Sequence, residues 1–200
     1  MRLALKIIAV TAIAALCLSL QVVGQEASPK ILTGPADWRY EYIPFPLDFA
    51  PDLPYTGFEE LRFAPGMFDT LAADYFTYTF AISLTNQQPL SGKELSGFLT
   101  SYYKGLYAAV ADAKKLLADT GAIAVSIQST TGTPTTTQAF AIEVLWVDAF
   151  TNNKPVRLHM QLEQHHNPKT NSCQLLALVS PQAPGTAIWE RLRAIQRTLE

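Results

Sequence analysis

The chain has 200 residues, 48% hydrophobic and 16% charged, a balance that excludes a disordered, collagenous or coiled-coil protein. Residues 1–24 read as an export signal; removing Arg2 and Lys6 with it leaves 13 basic against 17 acidic residues, a net charge of −4 that argues against nucleic acid as a partner. The 176 residues that remain suit one domain, large enough to bury a core without staples.

In chain order the signal comes first. Arg2 and Lys6 form a positive start, Ile7 to Leu20 is a 14-residue apolar run broken only by Thr11 and Ser19, and Val22 and Gly24 suit a cut before Gln25. The run is shorter than the roughly 20 residues a membrane span needs. The expectation is an exported protein, periplasmic or secreted, with no stable membrane span once the signal is cleaved. Cleavage leaves Cys173 as the single cysteine, so no internal disulfide forms. Residues 25–37 read as a polar linker and 38–200 as a single domain.

Seven of the 13 prolines lie between Pro29 and Pro65, and 13 of the 21 aromatics between Trp38 and Phe80. Proline fixes φ and removes a backbone donor, so this stretch is neither helix nor central strand. It reads as an extended arm that lays its rings over an edge or the second face of the body. Trp38, Tyr40 and Tyr42 alternate with Arg39, Glu41 and Ile43 at strand period, and residues 58–63 form another short strand. Pro65-Gly66 suits a type II turn with glycine at positive φ. From Asp74 to Thr85, Phe76, Tyr78, Phe80, Ile82 and Leu84 alternate with Tyr75, Thr77, Thr79, Ala81, Ser83 and Thr85, which predicts one core face and one wetter face.

A helix follows. Ser91 and Glu94 form a capping box, an apolar stripe runs from Leu95 through Leu99, Tyr102, Leu106, Ala109 and Ala113 to Leu116, and Gly121 offers a stop. Gly105 marks a bend or a close approach to the sheet. Four strands are expected at about 122–129, 137–148, 156–166 and 172–180, separated by turn signals rich in Thr, Asn, Pro and Gly. Thr186 then caps a final helix with Ile188, Leu192, Ile195 and Leu199 on its apolar stripe. The predicted fold is α+β: a mainly antiparallel sheet of about five to seven strands, one long helix and a C-terminal helix, plus the aromatic arm.

No nucleophile elbow, phosphate loop, dinucleotide fingerprint or HExxH motif occurs. Three regions carry candidate chemistry. In the last hairpin, a turn centred on Lys169 brings Glu163, His165 and Cys173 into one patch with soft-metal ligand types, or leaves them a solvated strand end. Cys173 as a nucleophile would need a lowered thiol pKa, and a strand offers only a neighbouring histidine for that. In the second region, Glu60 and Arg62 share a strand face, and Glu59 and Asp69 approach across the turn as paired carboxylates would for acid–base work. The third is a ligand groove or partner surface formed by Trp38, Tyr40, Tyr42, Tyr75 and Thr77, against the alternative that these rings complete the core.

The run Glu59 to Asp69, preceded by Phe45-Pro46 and Phe49-Ala50-Pro51, resembles a segment of exported bacterial proteins of unknown function. The element order is similar to PsbP-like α/β domains, a resemblance that implies an exported fold used in assembly or binding. Two functions stay open. One is an exported, non-enzymatic binding or accessory domain for a protein or small-molecule ligand, without a cofactor. The other is a small hydrolase or metal-dependent enzyme centred on the 156–180 hairpin.

Overall fold

The computed structural model describes residues 31–132 and 137–197. The elements in order are β1 (Leu32–Thr33), β2 (Arg39–Pro44), β3 (Gly57–Phe63), β4 (Tyr78–Thr85), α1 (Gly92–Ala113), β5 (Ala124–Gly132), β6 (Thr137–Val147), β7 (Pro155–Asn167), β8 (Ser172–Ser180), α2 (Ala187–Arg193) and β9 (Gln196–Arg197). Seven strands form one sheet in the order β2-β3-β4-β8-β7-β6-β5, every neighbour antiparallel. The fold is α+β, as its alternating strands and capped helix imply.

The capping box of α1 forms in full: Glu94 N–H donates to the Ser91 hydroxyl and the Ser91 N–H to the Glu94 carboxylate at 2.8 Å. These contacts satisfy two of the orphan donors at the helix start. The buried stripe runs through Leu95, Phe98, Leu99, Tyr102, Tyr103, Tyr107 and Val110, turned away from the expected Ala109 and Ala113. The larger side chains win the core-facing positions because they bury more apolar area. The helix ends at Ala113 because Lys115 takes φ 57, the left-handed stop; Gly121 instead lies in a short turn capped by Asp119. A Cβ on Gly105 would lie 2.1 Å from the Phe49 carbonyl oxygen, so the close approach there is to the 45–56 connection rather than to the sheet.

The aromatic arm becomes sheet edge and helix packing. β2 is one of the two edge strands of the seven-stranded sheet, where proline is tolerated, and β3 lies beside it. Gly57 starts β3 at φ 141, and a Cβ there would strike the Ser83 backbone at 1.8 Å. Between β2 and β3 the chain crosses α1, stacking Phe45 on Phe98 and setting Tyr55 edge-on to Phe98 and Phe49 edge-on to Tyr102.

Four expectations change in this half. β4 begins at Tyr78 rather than Asp74: residues 66–77 coil into successive turns, with Phe76 at φ 48 donating its N–H to the Met67 carbonyl at 3.0 Å. Gly66 does not take a positive φ; it is needed for room, because a Cβ would meet Asp74 Oδ1 at 2.0 Å. The face of β4 expected to be wetter is dry, with Thr77 and Thr79 both 0% exposed. The start of the described part of the expected linker is packed, with Ile31 and Leu32 buried against Ala81 and Leu176, while residues 35–37 are exposed.

The sheet is therefore covered on both faces over its central strands. On the second face α2 contributes Ile188, Trp189 and Leu192 to a cluster with Trp38, Ala64 and Leu178. The last helix stops at Arg193 instead of continuing to Leu199, and β9 pairs with β1, Leu32 opposite Arg197. Leu199, residues 25–30 and the signal segment 1–24 lie outside the described residues.

Candidate functional site

A cavity of about 340 Å³ lies under α1, beside the β2 edge. Its walls come from separated parts of the chain. Tyr102, Tyr103 and Leu106 project from α1; Leu61 and Phe63 from β3; Tyr78 from β4; Trp146 from β6. Phe49, Phe68, Phe76 and Phe150 close it from the connecting segments. Trp146 is the hub of the rings, with Tyr103, Phe76 and Phe150 at centroid distances of 5.6, 6.1 and 6.4 Å. These lie in the range where aromatic pairs attract.

A buried carboxylate fixes the Phe150 wall. Asp148, 0% exposed, accepts from Phe150 N–H at 2.9 Å, Thr151 N–H at 3.1 Å, the Tyr75 hydroxyl at 2.6 Å and the Thr151 hydroxyl. Lys114, at the end of α1, donates to the Phe150 carbonyl. Burial, then the bond to Asp148, pushes the Tyr75 phenol up to about 12. The turn thus holds a large apolar ring beside Trp146 with its own polar groups satisfied.

Two carboxyl groups belong to this side of the sheet. β2 and β3 pair Glu41 with Leu61 and Ile43 with Glu59, so Glu41 and Glu59 stand diagonally on the face that carries Leu61 and Phe63. Glu59 is fully buried and accepts from the Tyr102 hydroxyl at 3.0 and 3.3 Å to its two oxygens. Burial pushes its pKa up to about 8; the Tyr102 bond pulls it down and the Glu41 charge pushes it up. Glu59 is therefore mostly protonated at neutral pH. Glu41 lines the cavity itself, and burial raises its carboxyl against the pull of Arg39.

The walls also carry Asp48, tyrosine hydroxyls and the Trp146 indole. The Tyr78 and Tyr103 hydroxyls lie 2.7 Å apart and share one hydrogen bond, which leaves one O–H hydrogen without an acceptor among the described residues. Trp146 is 1% exposed and its indole N–H has no hydrogen-bond partner among the described residues. That nitrogen has almost no accessible surface, so it lies behind the cavity wall rather than opening onto it, and the Trp38 indole N–H on the second face is without a partner in the same way.

The residues singled out from sequence are scattered. Tyr42 borders the cavity, with its ring stacked on Phe58 at 5.5 Å. Trp38 is buried on the second face under the Arg191 guanidinium, 5.7 Å from the ring centroid. Tyr40 lies under Arg62 at 4.6 Å, and burial followed by the Glu60 charge pushes its phenol up to about 12. Tyr75 binds Asp148, and the Thr77 hydroxyl bonds that of Ser180 at 2.9 Å. The Trp38, Tyr40, Tyr42, Tyr75 and Thr77 set is thus not one groove.

The hairpin set is not brought together either. β7 and β8 pair His166 with Cys173 and His165 with Gln174, one residue away from a turn centred on Lys169. That slip sends Cys173 to the helix-facing side, while Glu163 and His165 share the other side with Nε2 to Oε2 at 3.6 Å. Among the described residues no three His, Cys, Asp or Glu side chains converge as metal ligands would. Cys173 is fully buried and its thiol is pushed up to about 11 by burial, so it is not held as a thiolate. Glu59 and Asp69 also part: Asp69 caps its own turn by accepting from Leu71 N–H at 2.9 Å.

Glu41, Tyr102, Tyr103, Trp146 and Phe150 are the site residues that strand and helix patterns alone read as ordinary core or edge. The usable signal is Glu59, an acid at the strand position shared with Leu61 and Phe63. No protein family, curated protein or solved structure matches the chain.

Proposed function

We propose that this is an exported binding domain that takes up a small apolar molecule in the cavity beneath α1. The observation that carries the reading is the cavity itself: about 340 Å³, walled by aromatic rings, with a few polar groups converging on it. Ligand sites are typically roughly 300–1,000 Å³ and have this composition. The rings are braced from behind, by Asp148 and Lys114 at the Phe150 wall and by the capped helix at another.

N-phenyl-1-naphthylamine, an uncharged dye that brightens in apolar surroundings, tests the reading. Saturable uptake at one dye per chain is expected, and Leu106→Trp, which fills the cavity, should abolish it while the melting temperature holds. Dye uptake that is absent, or equal in Leu106→Trp, overturns the proposal.

Export rests on residues 1–24. Mass spectrometry of the protein recovered outside the cytoplasm should give Gln25 as its first residue; an intact 1–24 segment retained in the membrane fraction would count against it.

A further inference from the structure

We infer that the molecule taken up by the cavity carries a protonated amine on its apolar body, with Glu41 as the counter-ion. The inference rests on the reading of the cavity as a ligand site and adds the charge of the ligand. Glu41 pairs with Leu61 across β2 and β3, so its side chain leaves the sheet on the cavity side, and it lines the cavity. Its influence points inward: burial raises Glu59 and the Tyr102 phenol first, and the Glu41 charge adds to both. No described residue donates a hydrogen bond to the Glu41 carboxyl, whereas the buried Asp148 and Glu60 each accept from two backbone N–H groups. Arg39, two residues away on the same strand face, pulls Glu41 down, yet burial outweighs it and the group stays raised. Glu41 is a half-buried acid at a cavity wall with too few donors and too little positive charge around it.

The rest of the lining has the same sign. Asp48 is exposed and also lines the cavity, and no Lys, Arg or His belongs to the walls. The other titratable groups on this side of the sheet are Glu59 on β3 and the phenols of Tyr78 on β4 and of Tyr102 and Tyr103 on α1, none of them a cation. Aromatic faces attract cations as well. A ligand carboxylate would enter against Glu41 and Asp48 and lose its hydration with no partner to receive it. A bare metal ion is poorly served, because among the described residues no three His, Cys, Asp or Glu side chains converge and the walls are mostly rings. An ammonium group brings three donors to the acid and draws it to its charged form, while the apolar body that carries the ammonium fills the ringed space.

Three probes of nearly one shape separate charge from apolar fit: 4-phenylbenzylamine, 4-ethylbiphenyl, which has a methyl group in place of the ammonium, and 4-biphenylacetate, which has a carboxylate there. Each is scored in neutral buffer by displacement of N-phenyl-1-naphthylamine from protein purified from cells expressing the full chain. The amine should bind about tenfold more tightly than the hydrocarbon, the order expected of a hydrogen bond between charged partners, and more tightly than the carboxylate. Glu41→Gln should erase that advantage and leave the affinities for 4-ethylbiphenyl and the dye unchanged. Added salt should narrow the amine's advantage in the unaltered protein without weakening the hydrocarbon, a readout that stands even if Glu41→Gln fails to fold. If the dye binds but amine and hydrocarbon compete equally, the charge assignment is wrong while the cavity reading survives. An advantage that persists in folded Glu41→Gln overturns Glu41 as the counter-ion, and tighter binding of the carboxylate overturns the sign of the ligand. Absence of dye uptake removes both readings together.

Discussion

Glu59 and Glu60 are neighbours on β3, both 0% exposed, and they face opposite sides of the sheet. Glu60 accepts from the N–H groups of Ile31 and Leu32 at 3.1 and 2.9 Å, beside Arg62, which itself donates to the Trp38 carbonyl at 3.3 Å. That carboxylate ties the N-terminal segment to the sheet. Glu59 has the Tyr102 hydroxyl and the repulsion of Glu41, and is pushed up to about 8. Backbone donors on one face stabilise a buried acid as a structural clamp; their scarcity on the other face keeps it neutral beside an aromatic cavity. Burial alone does not decide what an acid does; the number of donors aimed at it does.

The largest effect should come from the clamp. Glu60→Ala leaves two buried N–H groups without their acceptor, and urea unfolding should show a loss of about 3–5 kcal/mol. A loss under about 1 kcal/mol would erase the contrast between the faces.

The pH profile isolates Glu59. Its folded-state pKa, about 8, exceeds the ordinary 4.5, so the folded chain holds a proton that the unfolded chain releases between those values. The associated stability is complete below about pH 4.5 and is lost as pH rises through 8. Melting temperature should fall by several degrees across that window, and Glu59→Gln, which mimics the neutral acid, should flatten this part of the profile. A Glu59→Gln protein with an unchanged slope would move the effect to another group.

The smallest effect tests the dry second face. The Thr79 hydroxyl donates to the Ala177 carbonyl at 2.7 Å, so Thr79→Ala should cost about 1–2 kcal/mol, against about 3–5 for Phe80→Ala on the cavity-side core. A value near zero for Thr79→Ala would mean that water reaches that face.

How much of this was legible depends on whether a pattern had one reading or two. The α1 start follows from Ser91 and Glu94 because a capping box is local. β6 and β7 follow from alternation because one face of each remains partly exposed. β8 does not fix its own register: Leu175, Leu176, Ala177, Leu178 and Val179 are all buried, so a shift of one residue offends neither face. The turn decides instead. Asn171 takes φ 47, and the ladder closes at Asn167 and Ser172 rather than around Lys169. The same ambiguity hid the second layer, since Thr77, Thr79 and Ser83 look wet in sequence but lie under the N-terminal segment and α2. The cavity was half legible. The aromatic surplus of residues 38–80 marks the right region, yet Trp38 and Tyr40 turn to the second face. The rings that complete the walls, Tyr102, Tyr103, Trp146 and Phe150, come from distant segments.

The pairing of β1 with β9 joins residues 32–33 to residues 196–197. Each of these strands has two residues, and they stand at opposite ends of the described chain, so pairing them alone would close a loop of nearly the whole fold at a cost in chain entropy that so short a ladder does not repay. Each half therefore leans on what the body offers: Glu60, Arg62 and the apolar contacts of Ile31 and Leu32 for one, the packing of α2 for the other. The pairing is a clasp on a built frame rather than a part of the frame.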